Sequence, residues 1–282
     1  MINLFQNFSA VESGPAIHVA PGALFEVAGV GITNSMLYGW ICSLLIIGLL
    51  VYVARTITVK PKGGVTQFVE AGTEFITNLV KNSFDDKSKG RKYVPFFVTI
   101  FFFVLLNNWL GLLPGTAEAF AVGETPLLRA FTADLNGTLA LGGIMMATIY
   151  AISVKELGGI KKYFRHFFIG SPLNPLYLVI GLLEILTDLT RVFSLSLRLF
   201  LNVTIGEIII AVATFLGGAV APVLALPFTM VELFVGALQA YIFTVLGLMY
   251  LSITVNHGNE HEDEHLTEEA TPDTIRLHAK KA

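Results

Sequence analysis

Charge is what this sequence has least of: only 14% of its 282 residues are Asp, Glu, Lys or Arg, against 54% hydrophobic. With a mean hydropathy of +0.70, the composition excludes a water-soluble globular domain and leaves a polytopic membrane protein. The single cysteine, Cys42, excludes an intrachain disulfide, and its apolar surroundings make it a packing residue. Residues 1–34 contain no Lys or Arg, and the first long apolar run begins only near Met36. The basic start of a signal peptide is therefore missing, and the first span is expected to stay in the mature protein. No repeat of half-chain or solenoid length is visible.

Residues 36–54, 93–113 and 135–154 are apolar runs long enough to cross a hydrocarbon core of about 30 Å at about 1.5 Å per residue, and are expected to be upright transmembrane helices. Between the first two, Val65, Phe68, Val69, Phe75, Ile76, Leu79 and Val80 recur at helical spacing, with Glu70, Glu74 and Lys81 off that stripe. This pattern predicts an amphipathic helix at the membrane interface.

Residues 174–215 contain no proline after Pro175, and only Gly181 and Gly206 interrupt them. As one helix they would run to about 63 Å, twice the hydrocarbon thickness, so the helix must tilt strongly or lie partly in the interface. Gly217, Gly218 and Pro222 supply a turn, and residues 228–255 give a second overlong helix. A long sloping helical hairpin is expected. The fold class is all-α, with an N-terminal outside segment (1–34), a membrane domain (35–255) and an acidic tail (256–282).

Basic residues set the orientation. The connection from Arg55 to Lys92 carries eight Lys or Arg and that from Lys155 to Arg165 carries four, whereas the loop between the second and third spans carries only Arg129. The two basic connections face the cytoplasm, placing the N-terminus outside and the tail inside.

From Pro175 to Asn256 there are six charged residues: Glu184, Asp188, Arg191, Arg198, Glu207 and Glu232. Arg198 lies inside the apolar run Ser194-Leu195-Ser196-Leu197-Arg198-Leu199-Phe200-Leu201-Asn202. A charge near the bilayer centre costs at least about 2.5–3.5 kcal/mol, and arginine cannot shed its proton to avoid that. An ion pathway is the default reading. At about 100° per residue, Glu184, Arg191 and Arg198 form one stripe with Asp188 and Asn202 near it, and Glu207 comes out about 180° from Arg198. Such a switch of face suits two aqueous half-paths meeting at an arginine. Glu184, Asp188 and Arg191 are also open to a plainer reading, an ion-paired cluster. Glu232 and Gln239 share a face of the second arm, where Gln239 could equally be a packing hydrogen bond.

The tail segment His261-Glu262-Asp263-Glu264-His265 matches the H-E-x-x-H zinc pattern. Without a catalytic domain or third ligand it reads as a solvated acidic tail. The Asn-x-Ser/Thr triplets at Asn7, Asn136 and Asn202 are chance matches.

The sequence resembles subunit a of the rotary F-type ATP synthase. The residues that carry the likeness are Ser196-Leu197-Arg198-Leu199-Phe200-Leu201-Asn202 with Gly206-Glu207, then Leu238-Gln239-Ala240-Tyr241-Ile242-Phe243. Asn108-Trp109-Leu110-Gly111-Leu112-Leu113-Pro114 and Thr132-Ala133-Asp134-Leu135-Asn136 add to it. The resemblance implies that Arg198 is the essential stator arginine facing a ring of c subunits. It implies that Asn202, Glu207, Glu232 and Gln239 line the outer half-channel with Asp134 nearby, and that Glu184, with Asp188, lies toward the inner one. The implied partners are the c-subunit ring, the peripheral-stalk subunit b and membrane lipid, with no nucleic acid and no cofactor. The implied location is the bacterial cell membrane. Two positions depart from the family: Leu201 stands where Gly is usual, and Glu207 and Glu232 are both acids where a Glu and His pair is common. Two nearby carboxylates do not both ionise cheaply, so the pair should titrate jointly.

The expected activity is ion translocation without covalent chemistry. The alternative, a secondary transporter of an anionic substrate, requires inverted repeats with broken helices, and neither is visible.

Overall fold

The computed structural model describes residues 22–27, 30–56, 63–112, 121–122, 125–126, 129–156, 159 and 175–269. Two strands, β1 (Ala23–Val27) and β2 (Val30–Thr33), pair antiparallel. Helices α1 (Asn34–Thr56), α2 (Gly64–Asn82) and α3 (Lys87–Gly111) follow. A two-residue ribbon, β3 (Ala121–Val122) with β4 (Thr125–Pro126), and a 3₁₀ turn at Phe131–Ala133 lead to α4 (Leu135–Glu156). Then come α5 (Pro175–Gly217) and α6 (Ala221–Glu269), joined through a 3₁₀ turn at Gly218–Val220. Among the described residues five helices, α1, α3, α4, α5 and α6, are long and apolar enough to cross a membrane. The chain is a mostly helical, polytopic membrane protein. The two short ribbons fall outside the all-α expectation.

Helix ends differ from the apolar runs because apolarity marks hydrocarbon rather than helix. The first span starts at Asn34 because Thr33 caps it, its Oγ1 accepting the Met36 N–H at 3.3 Å. The second extends back to Lys87, where Asp86 Oδ1 accepts the Ser88 N–H at 2.8 Å. That bond and the Ser88 hydroxyl hold the exposed Asp86 carboxyl below the usual carboxylate range. The second arm of the hairpin begins at Ala221 rather than 228: Pro222 occupies the first turn, where its missing N–H is not needed, and the helix runs through Pro227. It also continues past Asn256 to Glu269, so the first part of the expected tail is helical. The turn itself lies where the glycines indicate, with Gly218 at a φ of 48°.

The chain divides into two compact units. One comprises residues 1–69, 99–142 and 192–243; the other comprises 70–98, 143–191 and 244–282. In the first, Tyr38, Cys42, Ala130, Ala133 and Val203 form a buried cluster flanked by Leu110 and Phe131. Phe68 packs on Phe102 and Trp109, with ring centroids 6.5 and 5.6 Å apart. In the second unit Ile76, Val80, Met145, Ile149, Leu248 and Leu251 are buried. There Phe84 lies against Tyr93, whose hydroxyl donates to Glu156 Oε1 at 2.6 Å. The α2 stripe is split: Val69, Ile76 and Val80 are buried, whereas Val65, Phe68 and Phe75 stay exposed.

Exposed apolar side chains cover much of α1, α5 and α6, including Leu44, Leu45, Ile47, Leu216, Val223 and Phe234. Buried polar groups include Asn107, Asn108, Thr132, Thr138, Ser196 and Thr244. That inversion of a soluble protein's pattern suits a lipid solvent, in which polar groups must turn inward.

Close backbone packing gives a test. A Cβ at Gly137 would stand 2.8 Å from the Phe131 carbonyl oxygen, a backbone atom that cannot step aside, whereas one at Gly143 would meet nothing within 4 Å. Gly137→Ala is expected to destabilise by about 1–3 kcal/mol through overpacking. Gly143→Ala should be neutral or stabilising by up to about 1 kcal/mol. Unfolding of the two variants in mixed detergent micelles checks the contrast.

Candidate functional site

On α5, Leu195, Ser196, Leu199, Val203 and Thr204 are buried, while Phe193, Leu197, Leu201 and Ile205 form an exposed row. Arg198 stands beside that row, itself exposed. Among the described residues it makes no hydrogen bond or ion pair; the salt bridge found there joins Arg191 to Asp188. Among the described residues this permanent charge stands without a partner on an apolar face.

Further polar groups of the first unit follow Arg198 along α5, Asn202 near its stripe and Glu207 about 180° from it. Asn202 Nδ2 donates to Gln239 Oε1 at 3.0 Å, which ties α5 to α6 and places Gln239 at 2% exposure. The Gln239 Nε2 is buried with no hydrogen-bond partner. Seven residues earlier on α6, the Glu232 carboxyl lies directly over Gly206, where any Cβ would overlap it. The adjacent Glu207 is half-buried and within electrostatic reach of both Glu232 and Arg129. Glycine at 206 is what lets the second acid approach the first. The end of α3 fixes this stretch of α6 in register: Asn108 Nδ2 donates to the Gly236 carbonyl at 3.2 Å and Trp109 Nε1 to the Leu233 carbonyl at 3.0 Å.

Asp134 is buried just before α4. Its Oδ1 accepts the Asn136 N–H at 3.0 Å, capping the helix, and its Oδ2 accepts the Ser35 hydroxyl at 2.5 Å. Arg129, 6% exposed, donates to the Ala133 carbonyl at 3.0 Å.

In the second unit, Asp188 accepts from Arg191 Nη1 at 2.8 Å and from the Tyr150 hydroxyl at 2.7 Å. The Arg191 guanidinium carbon lies 3.6 Å from the centre of the Tyr250 ring. The ion-paired cluster open on sequence grounds is thus present at Asp188 and Arg191. The Glu184 side chain lies outside the described part, as do those of His261 and His265. Among the described residues no group of three or more His, Cys, Asp or Glu is placed to hold a metal.

The sequence-derived set therefore falls into four groups: Glu207 with Glu232, Asn202 with Gln239, Asp134 with Ser35, and Asp188 with Arg191. Arg198 joins none of them. Ser35, Tyr38 and Arg129 had no assigned part; Tyr38, buried, also lies within electrostatic reach of Glu207. For Arg129 a signal existed, since it follows Leu127-Leu128 and precedes Ala130-Phe131, an apolar setting unlike an ordinary aqueous loop.

These features define an integral membrane protein with a lone arginine on an apolar helix face and acids behind it. The chain belongs to the ATP synthase A chain family, whose pattern it matches over residues 36–252. It is 32% identical over 260 residues to ATP synthase subunit a 2 of Chlorobaculum tepidum, covering 86% of this chain and 68% of that one. It is 34% identical to ATP synthase subunit a of Gloeobacter violaceus, covering 82% of this chain and 86% of the relative. To ATP synthase subunit a of Rhodospirillum rubrum it is 33% identical, over 84% of this chain and 95% of the relative.

The Asn202–Gln239 pair is open to a direct measurement. Side-chain hydrogen bonds between membrane helices average about 0.6 kcal/mol and reach about 1.7 kcal/mol. A double-mutant cycle of Asn202→Leu and Gln239→Leu is expected to show a coupling within that range in bicelle unfolding; additive effects would mean that the two amides do not interact.

Proposed function

We propose that this chain is the non-catalytic, ion-translocating stator subunit of a rotary F-type ATP synthase. It works against a ring of c subunits in a bacterial cell membrane, with a peripheral-stalk subunit b as its other protein partner. The observation that carries this reading is Arg198, exposed and unpartnered within the described residues on an otherwise apolar face. In lipid such a charge requires a counter-charge, and a carboxylate on a moving partner supplies one only while it passes.

In this mechanism a proton enters from outside, and passes Asp134, the Glu207 and Glu232 pair and the Asn202–Gln239 contact to a ring carboxylate. After rotation it leaves on the Glu184 and Asp188 side. Arg198 separates the two half-channels: its charge repels a proton crossing directly and favours the ionised ring carboxylate. Each charge crossing 100 mV releases about 2.3 kcal/mol, which the ring converts to torque. The tilt of α5 and α6 follows from length, because the apolar stretches Gly181–Gly217 and Ala221–Asn256, 37 and 36 residues, exceed what an upright span needs. The N-terminus lies outside, and α2 lies at the cytoplasmic interface.

Arg198→Ala is expected to abolish ATP-driven proton pumping in reconstituted vesicles while the complex still assembles with its ring. Pumping within about twofold of wild type would overturn the reading, since the charge would then not be needed for the selective step.

The acid pair yields a second test. Glu207→Gln and Glu232→Gln are each expected to slow proton uptake, and the double variant to be less impaired than the product of the two, because carboxylates sharing a proton act as one unit. An unchanged rate and pH profile for Glu232→Gln would remove that residue from the path.

A further inference from the structure

The N-terminal ribbon ends at Thr33, and Ser35 in the first turn of α1 leads from it into Asp134. Thr33, half-exposed at the end of β2, has its Oγ1 3.0 Å from the Ser35 Oγ, and Ser35, fully buried, donates to Asp134 Oδ2. Serine has one hydroxyl proton, and here it is committed to the carboxylate, so Thr33 must be the donor in the first bond. The line is therefore directional, from the partly exposed Thr33 through Ser35 to Asp134. Capping does not require it: Asp134 caps α4 through Oδ1 and Asn136, and Thr33 caps α1 through the Met36 N–H. The second carboxylate oxygen and the Ser35 hydroxyl are left for each other.

We propose that Thr33 and Ser35 are a proton-entry relay that loads Asp134 from the aqueous side, an inference that rests on the proton-translocating reading of the site. A hydrated proton from the aqueous side is transferred to Thr33 Oγ1, leaving neutral water behind, as Thr33 passes its own proton to Ser35 Oγ and Ser35 passes its own to Asp134 Oδ2. One proton has entered, one carboxylate has become a carboxylic acid, and each hydroxyl still carries one hydrogen. When Asp134 hands its proton onward, rotation of the two hydroxyls restores the starting orientation. The ribbon thereby gains a function: it holds the entry hydroxyl at the mouth of a buried carboxylate.

The test uses the whole complex in vesicles, with passive proton conductance measured at one fixed external pH per assembled complex. Ser35→Ala is expected to lower conductance about tenfold, less than the roughly 10²–10⁴ of a positioned acid or base because water partly substitutes. Ser35→Gly leaves room for a water between Thr33 and Asp134 and should recover conductance to within about threefold of wild type, although glycine early in α1 makes it no more stable than the Ala variant. A mere latch would follow stability instead, leaving Ser35→Gly as slow as Ser35→Ala, and that result overturns the relay. Conductance within about twofold of wild type in Ser35→Ala does the same. If Ser35→Ala does not assemble, Ser35→Thr keeps the hydroxyl and must conduct like wild type; a loss there rejects the relay. Arg198→Ala is measured in parallel: unimpaired pumping in that variant defeats the stator reading, whereas unimpaired conductance in Ser35→Ala defeats the relay alone.

Discussion

An arginine that cannot deprotonate, exposed on an apolar helix face, is the constraint on which the rest of this structure depends. Arg198 borders an exposed row of Phe193, Leu197, Leu201 and Ile205, and the opposite side of α5 is buried. Lipid against that face would leave the guanidinium unsolvated, at a cost of several kcal/mol. On the proposed function, the helix must hold the charge still and the partner must carry the compensating charge. Rigidity comes from close backbone approach, since a Cβ at Gly142 would collide with the Ser196 Oγ. Small residues let α4 and α5 meet where bulk would separate them.

Behind that face, Asn202 is matched to Gln239. The Glu232 carboxyl lies over Gly206, and Glu232 and Arg129 are both in electrostatic reach of Glu207. Counting charges, two ionised acids and one arginine sum to minus one, and a single proton on the acid pair brings the group to zero. No local pattern could reveal this, because Arg129 and Glu207 are 78 positions apart.

Composition made the five apolar helices legible, and helical spacing made the α5 and α6 polar positions legible, because both signals are local. Glu232 and Gln239 share a face by arithmetic alone, and the Asn202–Gln239 bond follows once the two arms are paired. Helix ends were less legible. Pro227 reads as a boundary in isolation, yet its neighbours carry the helix through it, and the polar first turn of α3 lacks the apolarity by which a span is recognised. The ribbon and Ser35 were invisible for another reason: a serine at a helix start is the commonest of capping residues, and only its contact with Asp134, 99 positions away, distinguishes it.

Three arginines in three environments divide the work between them. Arg129 is buried and donates to a backbone carbonyl, and Arg191 is fixed by Asp188 and the face of Tyr250. Each would lose specific contacts on moving, and Asp188 would in turn lose a donor while keeping Tyr150. A charge already engaged is a poor switch, because a passing carboxylate would have to displace its partner. Arg198 has no partner to displace among the described residues, and it stands on the side where another protein can arrive. Of the three, it alone would exchange one counter-charge for the next at little cost, which is the property that the proposed stator role asks of it.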